Sequence, residues 1–106
     1  MRKKIKKQEK VLCIIPARGG SKGLLNKNIR IICNKPLIYF PIAAALESKV
    51  CDEIFVSTDS TKIANIAKSY GANVPFLRKK EYARDLTSTE DTLKHALIEY
   101  ENYYKK

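Results

Sequence analysis

Residues 11–28, which read VLCIIPARGGSKGLLNKN, decide how this chain folds. The apolar run from Val11 to Ile15 is rich in β-branched residues and predicts a buried strand, which Pro16 ends because it cannot donate to a sheet ladder. The following segment, 17–28, is rich in glycine and cations. Glycines let a ligand approach backbone N–H groups closely, so a loop of this kind after a strand is suited to hold a triphosphate.

The glycine spacing excludes the two commonest phosphate-binding motifs. A Walker A loop has four residues between its first glycine and a Gly-Lys-Ser/Thr triplet, and the dinucleotide fingerprint is Gly-x-Gly-x-x-Gly. Gly19, Gly20 and Gly23 match neither pattern. From the residues alone, this segment is either a phosphate loop of another kind or a basic, solvated turn.

Length and charge set the domain organisation. The chain has 106 residues and a formal net charge of +10, and a chain of this size forms at most one domain. Residues 1–10, MRKKIKKQEK, contain six of the cations and one acidic residue, which is half of the net charge. We predict a basic flexible tail over residues 1–10 and an α/β domain over residues 11–106.

The same composition predicts a cytoplasmic protein. MRKKIKKQEK is too polar for a signal peptide, and no stretch has membrane-spanning length, so we expect no membrane partner. Cys13, Cys33 and Cys51 are odd in number and widely spaced, as expected for small apolar residues and not for a metal or redox site. His95 has no second histidine with which to share a metal, and we expect a structural role.

The chain alternates between strand and helix patterns. Residues 52–57 predict a second strand and residues 73–77 a third, which Pro75 would confine to a sheet edge. Residues 29–33 are either a short strand or a connector. A helix is expected to begin near Pro36, with Asn34 as its cap. Pro41 would either begin that helix or bend it.

Two further helices show an apolar periodicity. The first begins at Thr61 and is followed by Gly71 as its C-terminal stop, and the second runs from about Ser88 to Tyr104. The apolar stripes predicted to face the core are Ile63, Ile66, Ala67 and Tyr70 in the first, and Leu93, Leu97, Tyr100 and Tyr104 in the second.

This order of elements predicts a parallel α/β sheet with helical crossovers. In such sheets ligands bind outside the carboxyl ends of the strands, which places the 17–28 loop, the 57–60 turn and Arg78 at one rim. The rim carries cations and neutral hydrogen-bonding groups that suit a nucleoside triphosphate. They are Arg18, Lys22, Lys27 and Arg78, with Ser21, Asn28 and Thr89.

The string IIPARGGSKGLLNKN resembles the first motif of the acylneuraminate cytidylyltransferase (CMP-N-acetylneuraminic acid synthetase) family. The blocks KPLI (35–38), VSTDS (56–60) and VPFLR (74–78), and the run that begins at Asp85, resemble later family motifs, so that the resemblance covers residues 11 to about 100. It implies a Rossmann-like nucleotide-diphospho-sugar transferase sheet in a three-layer αβα arrangement. Only the N-terminal half would be present, making residues 11–106 a partial nucleotide-binding domain.

The resemblance also implies an enzyme and its site residues. CMP would pass from CTP to a nonulosonic (sialic-type) acid with release of pyrophosphate, and Arg18 and Lys27 would be the catalytic pair that binds the phosphates. Ala17, Arg78 and Thr89 would face the cytosine and ribose. The implied CTP-binding set is Ala17, Arg18, Ser21, Lys22, Lys27, Asn28, Arg78 and Thr89. The family implies Mg²⁺, whose paired aspartates lie in the second half, so no metal ligand is expected in this chain.

The sequence leaves several alternatives open. Asp59 could bind a metal, cap a helix or brace a loop. The family resemblance implies CTP and an acidic nine-carbon sugar as partners, and a homodimer for full-length members. This chain could be a fragment, a truncated reading frame or one part of a two-chain protein. In each case we expect an exposed apolar sheet edge.

Other functions are also considered. The net charge allows a basic anion-binding or nucleic-acid-binding module without catalysis, although the chain has no helix dense in Arg and Lys, and we do not expect nucleic acid as a partner. A nucleotidyltransferase for another sugar would share the topology.

Overall fold

The computed structural model describes residues 10–19, 29–79 and 89–105. Within these ranges the elements are β1 (Leu12–Pro16), β2 (Ile31–Ile32), β3 (Lys35–Pro36), α1 (Tyr39–Ser48), β4 (Glu53–Ser57), α2 (Thr61–Ser69) and α3 (Thr89–Lys105). Strands β1 and β4 pair in parallel, with Leu12 opposite Glu53 and Pro16 opposite Ser57. The predicted α/β class with a parallel sheet is confirmed.

The sheet separates two packed faces, because successive side chains of a strand point to opposite sides. Ile54 and Val56 of β4 face α1 and α2, where the main core lies, whereas Phe55 faces α3 and packs against Tyr100 with 4.9 Å between ring centroids. The result is the predicted three-layer αβα arrangement. Buried members of the main core include Ile15, Ile38, Ile42, Ala45, Ile54, Val56, Ile63, Ala64 and Ala67.

The predicted third strand over residues 73–77 is wrong. Only Asn73 pairs with the sheet, through a parallel bridge to Phe55 in which Asn73 N–H donates to Ile54 O (2.8 Å) and Val56 N–H donates to Asn73 O (3.1 Å). The pairing stops before Pro75, which has no N–H to donate. Residues beyond Asn73 instead run along the edge of the sheet towards Arg78.

Residues 31–36 form a tight β-hairpin, so the segment 29–33, predicted as either a short strand or a connector, contains the short strand β2. Strand β2 pairs antiparallel with β3, and the two residues between them, Cys33 and Asn34, have φ values of 52° and 68°. Positive φ at both central positions is what a type I′ hairpin turn requires. Asn34 is therefore a turn residue, and the prediction that it caps a helix opened by Pro36 is wrong.

Helix α1 begins at Tyr39, with Ile38 at the N-cap position and without a side-chain cap. Pro41 is the third residue of the helix, where a backbone N–H would have no intrahelical partner, so the proline is accommodated in the first turn. The helix ends at Ser48, and the C-cap residue Lys49 closes the last turn with a left-handed backbone (φ 59°).

Helices α2 and α3 differ in how well their sequence patterns predict them. Helix α2 begins at the predicted Thr61 and ends at Ser69, and the predicted stop Gly71 follows its C-cap Tyr70 with φ of 105°. In α3 the predicted stripe is right for Tyr100, which packs against Phe55, and wrong for its other members. The most buried residue is Ala96 (1% exposed), while Leu93, Leu97 and Tyr104 are 37, 41 and 52% exposed. The small Ala96 side chain allows the helix to lie close to β1.

Two further features concern the surface and the cysteines. The outer edge of β1 has no strand partner within the described ranges. None of the helices in those ranges is long and apolar enough to cross a membrane. Cys13 and Cys51, distant in sequence, are neighbours in the fold. Burial raises the pKa of the Cys13 thiol, and the nearby Cys51 raises it further.

A polar clamp made by Glu53, Asn73, Tyr100 and Tyr104 joins α3 to the amino end of β4. The Tyr100 hydroxyl donates to Glu53 Oε1, Asn73 Nδ2 donates to Glu53 Oε2, and Asn73 Nδ2 lies 3.1 Å from the Tyr104 hydroxyl. Burial, followed by the bond to Glu53, raises the pKa of Tyr100. The clamp holds the end of the domain opposite to the predicted ligand rim.

Replacing Tyr100 by phenylalanine should destabilise the fold and change its alkaline pH dependence. The variant loses a hydrogen bond to a carboxylate, at a cost of about 1 to 3 kcal/mol at neutral pH. Because folding raises the pKa of this phenol, its contribution is complete below the unfolded value of about 10 and is lost as the pH rises above it. Urea unfolding at pH 8 and at pH 11 measures this difference. The free energy of unfolding should fall less between these two pH values in Tyr100→Phe than in wild type. An equal effect from the control Tyr103→Phe would contradict this.

Candidate functional site

The main chain and side chain of Ser57, at the carboxyl end of β4, connect the three segments of the predicted rim. Ser57 O accepts from Ala17 N–H (2.9 Å) just after β1 and from Arg78 Nη2 (3.0 Å). Ser57 Oγ accepts from Arg78 Nε at 3.0 Å, and Arg78 N–H donates to Thr58 O at 2.7 Å. The three chain segments are therefore cross-linked at the edge where the topology predicts a ligand.

Asp59 braces the start of the glycine-rich loop. Gly19 N–H donates to Asp59 Oδ1 at 2.9 Å, and the cap of α2 is the neighbouring Ser60, whose Oγ accepts from Ile63 N–H at 3.2 Å. Of the three roles considered for Asp59, the structure shows loop bracing. A Cβ atom on Gly19 would lie 2.9 Å from Ser60 Cβ, so this close approach requires glycine.

The Arg78 guanidinium is held inside the rim. Arg78 is only 5% exposed, and burial lowers its pKa. The carboxylates of Asp59 and Glu99 oppose that lowering, whereas the positive charge of Arg18 adds to it. Two guanidinium groups therefore lie close enough to repel one another, with two carboxylates offsetting part of their charge.

The structure brings together three of the predicted site residues. Ala17, Arg18 and Arg78 lie at one rim, while Thr89 is the first residue of α3. The remaining members of the predicted set lie outside the described residues. They are Ser21, Lys22, Lys27 and Asn28.

The described residues do not offer a metal site. They contain no group of three or more Asp, Glu, His or Cys side chains that could hold an ion. Asp59, the one carboxylate considered for that role, accepts the Gly19 N–H through Oδ1. We therefore assign no catalytic step to Mg²⁺ through these residues.

Three residues of the rim have roles that the sequence pattern did not indicate, although the 57–60 turn was predicted to lie there. Ser57 and Thr58 are 1 and 0% exposed, and two adjacent polar residues buried directly after an apolar strand are a signal for internal hydrogen bonding. Glu99 acts on Arg78 from α3, at a distance in sequence that no local pattern reveals.

These features define an α/β domain whose strand ends carry a braced loop and clustered arginines. A cytidylyltransferase family model matches residues 12–105 of the chain. The chain belongs to the cytidylyltransferase family.

Curated relatives agree with this assignment. The chain is 47% identical over 92 residues to the CMP-N,N'-diacetyllegionaminic acid synthase of Legionella pneumophila, covering 87% of this chain and 40% of that protein. It is 47% identical over 94 residues to the N-acylneuraminate cytidylyltransferase of Escherichia coli O18:K1:H7, covering 89% of this chain and 22% of that protein. The chain therefore spans about two fifths and one fifth of these two relatives.

A solved structure shares the fold. CMP:2-keto-3-deoxy-manno-octonic acid synthetase, in complex with CTP, superposes with a TM-score of 0.69 at 27% identity, covering 86% of this chain and 36% of that one. The Rossmann-like nucleotidyltransferase sheet predicted from the sequence is confirmed.

Gly19→Ala should destabilise the domain through contact with Ser60. The added methyl group meets a Cβ held by the cap of α2, and overpacking of this kind costs about 1 to 3 kcal/mol. Ser60→Gly removes that Cβ at a cost of a few tenths of a kcal/mol for the cap, so the double variant should lose less stability than the sum of the single variants. Urea unfolding of all four proteins measures this coupling. Additive losses would contradict the contact.

Proposed function

We propose that this chain is the CTP-binding part of a cytidylyltransferase that transfers CMP from CTP to a nonulosonic (sialic-type) acid. The observation that carries the proposal is the cross-linked rim, in which Ser57 holds Arg78 beside Arg18 at the carboxyl end of parallel strands. The family match and the names of the relatives support it.

The electrostatics of the rim favour an anionic ligand. Burial lowers the pKa of Arg78, and the positive charge of Arg18 lowers it further, so the Arg78 cation is repelled by Arg18. A polyphosphate bound between them would relieve this repulsion and accept charge-assisted hydrogen bonds. Arg18, which is half-buried, is in this proposal the residue that binds the CTP phosphates together with Lys27.

The nucleoside would occupy the part of the rim nearest to Arg78. Because Ala17 N–H already donates to Ser57, the carbonyl of Ala17 is the main-chain group that we assign to the cytosine amine. Arg78 and Thr89 would face the base and ribose. Ser21, Lys22 and Asn28 complete the proposed CTP-binding set.

The proposed reaction is an in-line displacement at phosphorus. The hydroxyl on the anomeric carbon of the acidic sugar attacks the α-phosphorus of CTP, the α–β bridging bond breaks, and pyrophosphate leaves as the hydroxyl proton is lost. Such reactions depend on positioning and on neutralising the phosphate charge. Arg18 and Lys27 would supply that charge in this chain.

We propose that the residues that bind the other partners lie outside the matched region. Because the chain spans two fifths or less of the two relatives described, we assign the acidic nine-carbon sugar, the family's Mg²⁺ and a homodimer interface to regions that the relatives have in addition. A cytoplasmic location remains part of the proposal, since the substrates are CTP and a free sugar acid.

Isothermal titration of the full chain should show that CTP binds more tightly than ATP and that Arg18 contributes to this binding. Losing a hydrogen bond to a charged group costs about 1.5 to 3 kcal/mol, so Arg18→Gln should weaken CTP binding by at least about tenfold. The matched control is Arg30→Gln, which removes the same charge from an exposed position and should change the affinity by less than about twofold.

Three results would contradict the proposal. They are equal affinity for CTP and ATP, an equal loss in the Arg18 and Arg30 variants, and tight binding of a short DNA duplex that disappears when residues 1–10 are removed. The last would favour the nucleic-acid-binding alternative.

A further inference from the structure

Glu99 connects α3 to the segment that carries Arg78. Its carboxylate oxygen Oε2 accepts a hydrogen bond from Lys79 N–H at 3.4 Å. Lys79 directly follows Arg78, whose own N–H donates to Thr58 O at 2.7 Å. The Arg78–Lys79 backbone is thus held on one side by the turn after β4 and on the other by α3.

The charges around Arg78 give Glu99 a second role. Its carboxylate and that of Asp59 raise the pKa of Arg78, against the lowering by burial and by Arg18. Asp59 also accepts the Gly19 N–H, so it serves the loop as well as the arginine. A buried cation that loses a carboxylate partner is strongly destabilised, which makes both carboxylates important for keeping the Arg78 cation in place.

Packing does not explain why residue 99 is a glutamate. Its Oε1 atom is buried without a hydrogen-bond partner among the described residues, and burial raises the pKa of the carboxyl group. The charges of Arg78, Lys79 and His95 and the bond from Lys79 N–H oppose that rise. A buried acceptor without a partner costs about 1 to 3 kcal/mol, so the carboxylate is present at a cost to stability.

We propose that Glu99 is a positioning residue of the CTP site, which holds the Lys79 backbone and balances the Arg78 guanidinium so that it stays on Ser57. This inference rests on the proposed function for its consequence, CTP binding. Its structural part, the placement of Arg78, can be measured separately. Glu99 does not contact the nucleotide in this proposal and acts only through Arg78.

Two variants separate the charge of Glu99 from its hydrogen bond. Glu99→Gln removes the charge but retains an oxygen that can accept from Lys79 N–H. Glu99→Asp retains the charge on a side chain one methylene shorter. Glu101→Gln is the matched control, because Glu101 is an exposed glutamate on the same helix. Urea unfolding first establishes that each variant is folded.

The first readout is the Arg78 Nε–H signal in ¹⁵N-edited NMR spectra, identified by its loss in Arg78→Lys. In wild type this proton is bonded to Ser57 Oγ and should exchange slowly with water. Glu99→Gln should speed the exchange by about tenfold, within the coupling range of interacting neighbours. Glu99→Asp should recover most of the protection, and Glu101→Gln should leave it unchanged.

The second readout is CTP affinity by isothermal titration. Glu99→Gln should weaken binding by about tenfold and Glu99→Asp by less than about threefold, with no change in Glu101→Gln. If wild type does not bind CTP while Arg78 protection is lost only in Glu99→Gln, the proposed function fails and the positioning of Arg78 by Glu99 stands. If Arg78 protection is the same in wild type and Glu99→Gln, the inference is overturned, whatever the affinity or stability.

Discussion

The bonds between the Arg78 guanidinium and Ser57 are the constraint on which the rest of the site depends. The Ser57 hydroxyl accepts a hydrogen bond from Arg78 Nε, and the Ser57 carbonyl accepts one from Arg78 Nη2. The same carbonyl also accepts a hydrogen bond from Ala17 N–H. Because hydrogen bonds to charged groups are roughly twice as strong as neutral ones, the exit of β1, the exit of β4 and the segment after Asn73 are fixed relative to one another. A buried cation thus sets the shape of the edge where CTP is proposed to bind.

The two layers of helices serve this rim in different ways. On one face, α1 and α2 supply an apolar core, and the cap of α2 at Ser60 holds the turn that braces Gly19. On the other face, α3 is fixed at the amino end of β4 by Tyr100 and Glu53, and towards the rim by Glu99 and Lys79. The edge where the ligand is proposed to bind is therefore joined to both layers of helices, and Arg78 is held in place there without a ligand.

The sequence predicts those parts of the structure that depend on local patterns. β1, β4 and α2 follow from an apolar run or a 3.6-residue period, and the glycine loop with its resemblance predicted the family. Three features depend on distant contacts: Asn73 pairs for a single residue, Ala96 in place of the larger Leu93 and Leu97 is the buried contact of α3, and Glu99 reaches Arg78 across the fold. The hairpin was not predicted for another reason. Its turn places Cys33 at a positive φ, a conformation that cysteine does not favour.

Amide hydrogen exchange on the unliganded chain tests the central claim most directly. The N–H groups of Ala17, Gly19 and Arg78 each donate across the rim, to Ser57, Asp59 and Thr58 respectively. If the rim is one cross-linked unit, these three amides are protected together and open with free energies close to that of Val56 in β4. Exchange of Gly19 and Arg78 at the rate of an unfolded chain, while Val56 remains protected, would contradict the account.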